Sequence, residues 1–294
     1  MVPKDLIKKI RQIEIHTARL ADDQLVGQYQ SVFKGRGMAF SEVRQYQPGD
    51  DIRFIDWHVS ARMNDVYMKL YTEEREMTVM LLVDASASGE FGTKGQFKSE
   101  VAAEIAALIA FSAIKNNDRV GLVMFTDKVE RFVPPKKGKK HVLRVVMEIL
   151  NFKPQSRGTD LSAGLDFLGK VTKRKSVAFL LSDFVASGWE HALRVAWRRH
   201  DLIPVHLVDP REEELADVGL AFFEDPETGE IVPVDTSSRR VREAYRMQVA
   251  RERGVREREF RKLEMDWVTI RTDRPYVKPL VDFFALRARR LGAA

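Results

Sequence analysis

A mostly parallel, doubly wound α/β sheet, preceded by an N-terminal helix and a small β-rich extension, is the fold the sequence predicts. Three observations lead there. Continuously apolar runs rich in β-branched residues recur at Thr78–Val83, Arg119–Thr126, Ser176–Ser182 and Ile203–Val208; such runs are strands buried on both faces. Segments with helical periodicity alternate with them, as crossover connections do. Three of the strands stop abruptly at a carboxylate: Asp84, Asp183 and Asp209.

The elements follow in order. Pro3–Leu25 sets Leu6, Ile7, Ile10, Ile13, Ala18 and Leu20 among Lys and Arg, an amphipathic helix with a solvated basic face. After Gly35-Arg36-Gly37 comes Phe40–Glu76, rich in aromatics and β-branched residues, with turns at Pro48–Asp51 and Met63–Asp65. It predicts two or three strands. Arg44, Arg53, Arg62, Arg75, Asp51 and Asp56 within it read as a structural ion-pair network, and His58 as structural. Past the strand at Thr78, Phe97, Val101, Ile105, Leu108, Ile109 and Ser112 share one helical face. The strand Arg119–Thr126, a short strand or hairpin arm at Lys128–Val133, a loop at Pro134–Gly138 and a helix at His141–Leu150 come next. The polar loop Ser156–Leu161 feeds a helix to Val171, with Thr159 or Asp160 as the ordinary N-cap. A strand at Ser176, a helix at Trp189–Arg199 and a strand at Ile203 precede a hairpin, Gly219–Asp235, turning at Glu227–Gly229. A long charged helix (Ser238–Glu264), a strand (Trp267–Arg271) and a helix (Pro279–Arg290) complete the chain. The expected division is an extension over 1–76 and an α/β domain over 77–294.

Composition narrows the function classes. The 294 residues include no cysteine, which excludes disulfides, thiolate zinc sites and cysteine nucleophiles and suits a reducing compartment. There is no signal-peptide pattern and no apolar run long enough for a bilayer, so a cytoplasmic protein is expected. A formal net charge of +6, with acids interspersed throughout, permits an acidic partner without demanding one. GxxxxGK[ST], GxGxxG and GxSxG are absent, and the six histidines form no HxH or HExxH.

The chemistry concentrates at Asp84-Ala-Ser86-Ala-Ser88. Three oxygen-bearing side chains at alternate positions, just past a buried strand, can converge on one point above the sheet. Short hard-oxygen ligands suit Mg²⁺ or Mn²⁺. The same residue types also suit a turn and a helix N-cap. Doubly wound sheets bind ligands beyond their carboxyl strand ends. If the strand at Ser176 lies beside the strand at Thr78, Asp183 faces the same crevice as Asp84, and Thr159 can reach over it.

DxSxS, a later Thr in a loop (Gly158-Thr159-Asp160) and an Asp after a later strand (Ser182-Asp183) resemble the von Willebrand factor A-type domain and its metal-ion-dependent adhesion site. The segment FSEVRQYQPGDDIRFIDWHVSAR, together with the DASAS stretch, is similar to the bacterial domain-of-unknown-function-58 family over about Phe33–Asp183. Gly89 stands where that family often has Met. The resemblance implies a von Willebrand A-like fold and a Mg²⁺ (or Mn²⁺) site of Asp84, Ser86, Ser88, Thr159 and Asp183. It implies that hydroxyls bind the metal directly, that the aspartates act largely through water, and that an open position takes a partner's Glu or Asp. Because the family is commonly encoded beside MoxR-type AAA ATPases, it also implies a non-enzymatic adaptor or chaperone-like partner of such an ATPase. Two other readings stay open. One is a metal-dependent hydrolase or phosphatase in the same crevice, with Asp84 as nucleophile or ligand and Asp160 or Asp209 assisting. The other is nucleic-acid binding through Lys136–Lys140 and Lys173–Lys175, which read first as solvated loops.

Overall fold

The computed structural model describes residues 26–33, 39–63, 65–72, 76–92 and 96–292. The helix expected over Pro3–Leu25, the Gly35–Gly37 stretch, Asn64 and Arg75 lie outside the described residues. The chain forms two compact units, one of residues 33–76 and one of the rest.

Helix α1 (Val26–Phe33) carries Tyr29, which is buried in the larger unit. Its ring meets Phe284 edge-on at 6.1 Å, and its hydroxyl donates to Asp118 Oδ2 at 2.9 Å. The other carboxylate oxygen of Asp118 accepts from the Met77 backbone N–H at 2.9 Å. One buried carboxylate thus fastens α1 and the start of the first core strand together.

In the smaller unit, β1 (Ala39–Gln45) pairs antiparallel with β2 (Tyr67–Thr72) around a bulge between Phe40 and Glu42. The stretch between them is not a third strand: Trp57–Met63 is helical (α2). The cause is Asp56. Its Oδ1 accepts from the His58 and Val59 N–H groups at 3.1 and 3.2 Å, satisfying the first orphan donors of a helix. This local capping overrides the β-branched and aromatic composition. Arg44 pairs with Asp50 at 2.7 Å, Arg53 with Asp51 at 2.6 Å and Lys69 with Asp56 at 3.4 Å, the structural use expected for charges in this segment.

The larger unit is built on β3 (Thr78–Asp84), α3 (Lys98–Lys115), β4 (Arg119–Phe125), β5 (Val129–Lys136), α4 (Lys139–Leu150), α5 (Leu161–Val171), β6 (Val177–Ser182), α6 (Glu190–Arg199) and β7 (Asp201–Val208). A single-turn helix α7 (Pro210–Glu213), the hairpin β8 (Leu220–Glu224) and β9 (Ile231–Asp235), the long α8 (Arg239–Lys262), β10 (Val268–Arg271) and α9 (Val277–Gly292) follow. The six-stranded sheet runs β10-β7-β6-β3-β4-β5, and every pairing is parallel except β4 with β5. This is the mostly parallel, doubly wound α/β sheet expected. Val79–Leu82 of β3 and Ala178–Leu181 of β6 are fully buried, as strands covered on both faces must be. Helix α3 is buried nearly all round, and its alanines at 102, 103, 106, 107, 110 and 113 let it sit close.

One expectation shifts. The Pro134–Gly138 loop is partly strand, since β5 continues through both prolines to Lys136. Being at the sheet edge, it needs no N–H from those prolines on its outer side. The charged helix α8 is laced by Arg239–Glu243, Arg261–Glu257 and Lys262–Glu259 pairs and fixed to α7 by Arg253–Glu213.

Asp118→Ala removes the acceptor that Tyr29 and Met77 use. It is expected to cost about 2–3 kcal/mol, read as a lower urea midpoint at unchanged slope, with Asp118→Asn costing less because one acceptor remains. Equal midpoints for all three proteins would refute the clasp.

Candidate metal centre

β3 sits between β6 and β4, with Val83 opposite Leu181. The chain leaves β3 toward β4 on one side and later passes from β6 to β7 on the other. The carboxyl ends of β3 and β6 therefore form the switch point of strand order, where such sheets leave a crevice. Asp84 ends β3, and Asp183 directly follows β6. The adjacency on which the sequence argument depended is present.

The side chains there form one chain of hydrogen bonds. Ser182 Oγ donates to Asp84 Oδ2 at 2.7 Å, and the Ser86 N–H donates to Asp84 Oδ1 at 3.0 Å. Ser86 and Ser88 place their hydroxyl oxygens 2.9 Å apart. The Ser88 hydroxyl reaches Asp183 in turn. A 3₁₀ turn, Ala87–Glu90, holds the serine loop in place, with the Gly89 N–H on the Ser86 carbonyl at 3.0 Å. The loop carrying Thr159 is tied alongside: the Ala87 N–H donates to the Arg157 carbonyl at 3.0 Å. Asp160, not Thr159, is the N-cap of α5, accepting from the Ser162 N–H at 2.8 Å. Thr159 thereby keeps its hydroxyl for other use, and donates it to Glu227 Oε1 at 2.5 Å.

Four participants were missed by sequence reasoning. Lys98, only 2% exposed, puts its ammonium 2.6 Å from Asp183 Oδ2 and 2.5 Å from Glu212 Oε1. Its signal was its spacing, in step with the buried Val101, Ile105 and Leu108 stripe of α3. Glu212 was legible as the fourth member of a capping box that starts at Asp209. Ser182 stands beside Asp183, with nothing local to mark its bond to Asp84. Glu227 was placed in the hairpin turn, with no local sign of its distant contact.

Phe184 adds a backbone constraint. Its φ is +57°, a region a bulky residue adopts only when its surroundings force it. Its ring is locked edge-on against Trp189 at 5.8 Å and Phe260 at 5.5 Å, and its N–H donates to Ser182 Oγ at 2.9 Å. The kink turns the chain immediately after Asp183.

Charge at the site is only partly balanced. Asp84, Asp183 and Glu212 surround the Lys98 ammonium, which bonds the last two, and the Arg256 guanidinium stands at the Asp183 carbonyl. Burial and then the negative charge of Asp183 push the Asp84 carboxyl up to about 6. Burial works against ionising Asp183 too, yet Lys98 holds its carboxyl below the usual range. Lys98 thus compensates one aspartate and leaves the other short of a cation. Hydroxyl and carboxylate oxygens around surplus buried negative charge fit a small hard divalent ion. Among the described residues no group of three or more His, Cys, Asp and Glu gathers as a metal cluster, so the hydroxyls are essential to any such fit.

The residues of the other readings are placed differently. Asp160 is engaged as the α5 cap, and Asp209 is fully buried, accepting from Thr272 Oγ1 at 2.8 Å and the Arg211 N–H at 2.9 Å. Lys173–Lys175 precedes the amino end of β6, and Lys136 pairs with Val120 near the amino end of β4. Both basic runs therefore lie toward the amino ends of the strands, opposite the end that carries the aspartates. His58 is exposed on α2. Among the described residues no helix is long and apolar enough to cross a membrane.

Residues 42–255 match the family described as Protein of unknown function DUF58. The chain is 31% identical over 288 residues to the uncharacterized protein Rv1480 of Mycobacterium tuberculosis, covering 97% of this chain and 90% of that protein. Among solved structures, the conserved hypothetical protein BatB from Bacteroides thetaiotaomicron superposes with a TM-score of 0.47 at 12% identity, covering 72% of this chain and 99% of that one. The SpRpn10 VWA domain superposes with a TM-score of 0.33 at 14% identity, covering 45% and 76%.

Lys98→Met leaves Asp183 and Glu212 without their shared counter-charge. It is expected to lower stability by about 3 kcal/mol, measured by urea unfolding at neutral pH. A midpoint equal to that of the wild type would mean that the ammonium compensates nothing.

Proposed function

The chain belongs to the DUF58 family, and we propose that it is a non-enzymatic, divalent-cation-dependent protein-docking module. Asp84, Ser86, Ser88, Thr159 and Asp183 hold Mg²⁺ (or Mn²⁺), and an acidic residue of a partner protein completes the site. The observation that carries this reading is the hydrogen-bonded chain from Ser182 to Asp183 at the sheet's switch point, with Asp84 left short of positive charge.

The residue types suit docking better than hydrolysis. The bound ion supplies a positive centre that attracts a carboxylate. Neutral hydroxyls leave much of its charge unspent, whereas hydrolytic two-metal centres bring more carboxylates or histidines directly to their ions. Asp160 and Asp209, the residues a hydrolase would enlist, are engaged in capping and in core hydrogen bonds. The family resemblance directs the choice of partner toward a MoxR-type AAA ATPase, in the cytoplasm, with this chain as its adaptor. Beside Asp183, a groove of about 840 Å³ between the Phe184–Trp189 segment and α8 exposes Val185 and Met247 and offers apolar area to the same partner.

The test is binding of a purified MoxR-type ATPase to the wild type and to Asp84→Ala/Ser86→Ala, both in Mg²⁺. Holding Mg²⁺ constant separates this site from the ATPase's own need for the ion. Affinity at least about tenfold lower for the double variant is expected, by analogy with the loss of other metal-supporting groups. Equal affinity sinks the metal-mediated interface. Turnover of a phosphoester that needs Mg²⁺ and vanishes in Asp84→Asn would replace docking with the hydrolase reading.

A further inference from the structure

Resting on the docking reading, we propose that Glu227 is a built-in stand-in for the partner's acidic residue: the β8–β9 hairpin seats its own carboxylate at the site, and a partner must displace it. The juxtaposition that carries this is the 2.5 Å contact from Thr159 Oγ1 to Glu227 Oε1, made across 68 residues of chain.

The turn is constructed to present that side chain. Pro226 fixes its own φ. Asp225 Oδ1 accepts from the N–H groups of Glu227 and Thr228 at 2.9 and 3.4 Å, and Gly229, at φ +74°, donates its N–H to the Asp225 carbonyl at 2.7 Å. Asp225 is therefore used up inside the turn, and Glu227 is the acid left to reach outward. Thr159 can give its proton to Glu227 and still turn its lone pairs toward a cation. The contact and a bound ion are thus compatible at one hydroxyl.

The hairpin is also built to let go. Its base is anchored firmly: Thr236, fully buried, donates Oγ1 to the Gly219 carbonyl at 2.6 Å and accepts from the Val218 N–H at 3.0 Å. Beyond the base the ribbon is open. On one face Leu220 is 65% exposed, Phe222 70% and Ile231 61%; on the other Phe223 and Val232 stay exposed while Ala221 and Val234 are half-buried, so no residue of either strand is buried. A two-stranded ribbon without a covered face is marginal by itself, so its seating depends on its two ends. Tethering gives Glu227 a high local concentration at the site without a strong intrinsic affinity, and an external carboxylate on a larger interface can outcompete it.

The experiment uses the full chain as wild type, Glu227→Gln and, as a hairpin-charge control, Glu230→Gln. Two quantities are read: Mn²⁺ affinity by electron paramagnetic resonance, and hydrogen exchange of the amides in residues 220–224 and 231–235 with and without Mg²⁺. Glu227→Gln is expected to weaken Mn²⁺ binding about tenfold and to abolish Mg²⁺-dependent protection of the hairpin, while Glu230→Gln changes neither. If the wild type binds Mn²⁺ and Glu227→Gln matches it in both quantities, the stand-in is overturned and the docking site survives. Faster hairpin exchange at unchanged Mn²⁺ affinity makes Glu227 a structural latch and overturns the proposal as well. If the wild type binds no Mn²⁺, the cation site itself fails and the stand-in fails with it.

Discussion

Two carboxylates at the ends of neighbouring parallel strands, Asp183 buried and Asp84 half-buried, repel one another. Asp84 and Asp183 are held in that position by the pairing of β3 with β6, and the surrounding structure responds to it. Lys98 is carried in on the otherwise apolar face of α3, where burial of an ammonium is tolerable only beside carboxylates. Glu212 is fixed by the cap of α7 and shares the charge from the other side. Ser182 turns its hydroxyl to Asp84, and the serine loop folds back so that its oxygens stand at hydrogen-bond distance. Lys98 pairs with Asp183 and Glu212, and Arg256 stands at the Asp183 carbonyl, which leaves Asp84 the acid short of positive charge. That shortfall is the feature on which the proposed cation site rests.

Strain is placed next to the same point. A phenylalanine in the left-handed region costs on the order of 1–2 kcal/mol. At Phe184 that cost is offset by an aromatic cluster with Trp189, Phe260 and the Phe260–Trp267 pair behind it. The apolar core under α6 and α8 thereby sets the direction in which the chain leaves Asp183. Packing energy far from the polar atoms is converted into the orientation of one loop.

The hairpin obeys the opposite logic. It contributes little to the core and keeps large apolar side chains in water, yet its turn is hydrogen-bonded and Thr236 at its base is buried. A rigid tip on a weakly held arm delivers a side chain accurately while remaining displaceable. The two-stranded form is also why the segment was legible as a hairpin from its turn residues alone, since Asp-Pro-Glu-Thr-Gly between apolar runs needs no tertiary contact to be recognised.

The sequence by itself determined the alternation of buried strands and helices and the carboxylates at strand ends. Local chemistry dictates these: continuous β-branched runs must be covered on both faces, and polar residues mark where cover stops. It also contained Asp84, Ser86 and Ser88 as neighbours on one loop. Even so, local composition misled at Trp57–Met63, where a single cap at Asp56 outweighed strand propensity, and at Pro134–Pro135, where an edge position made proline harmless. Tertiary structure alone decided that β6 lies against β3, so that Asp183 meets Asp84. It alone brought Lys98 to Asp183 across 85 residues and Glu227 to Thr159 across 68. Those contacts join segments whose local sequences carry no record of each other. Only the strand order of the folded sheet fixes which chain ends meet.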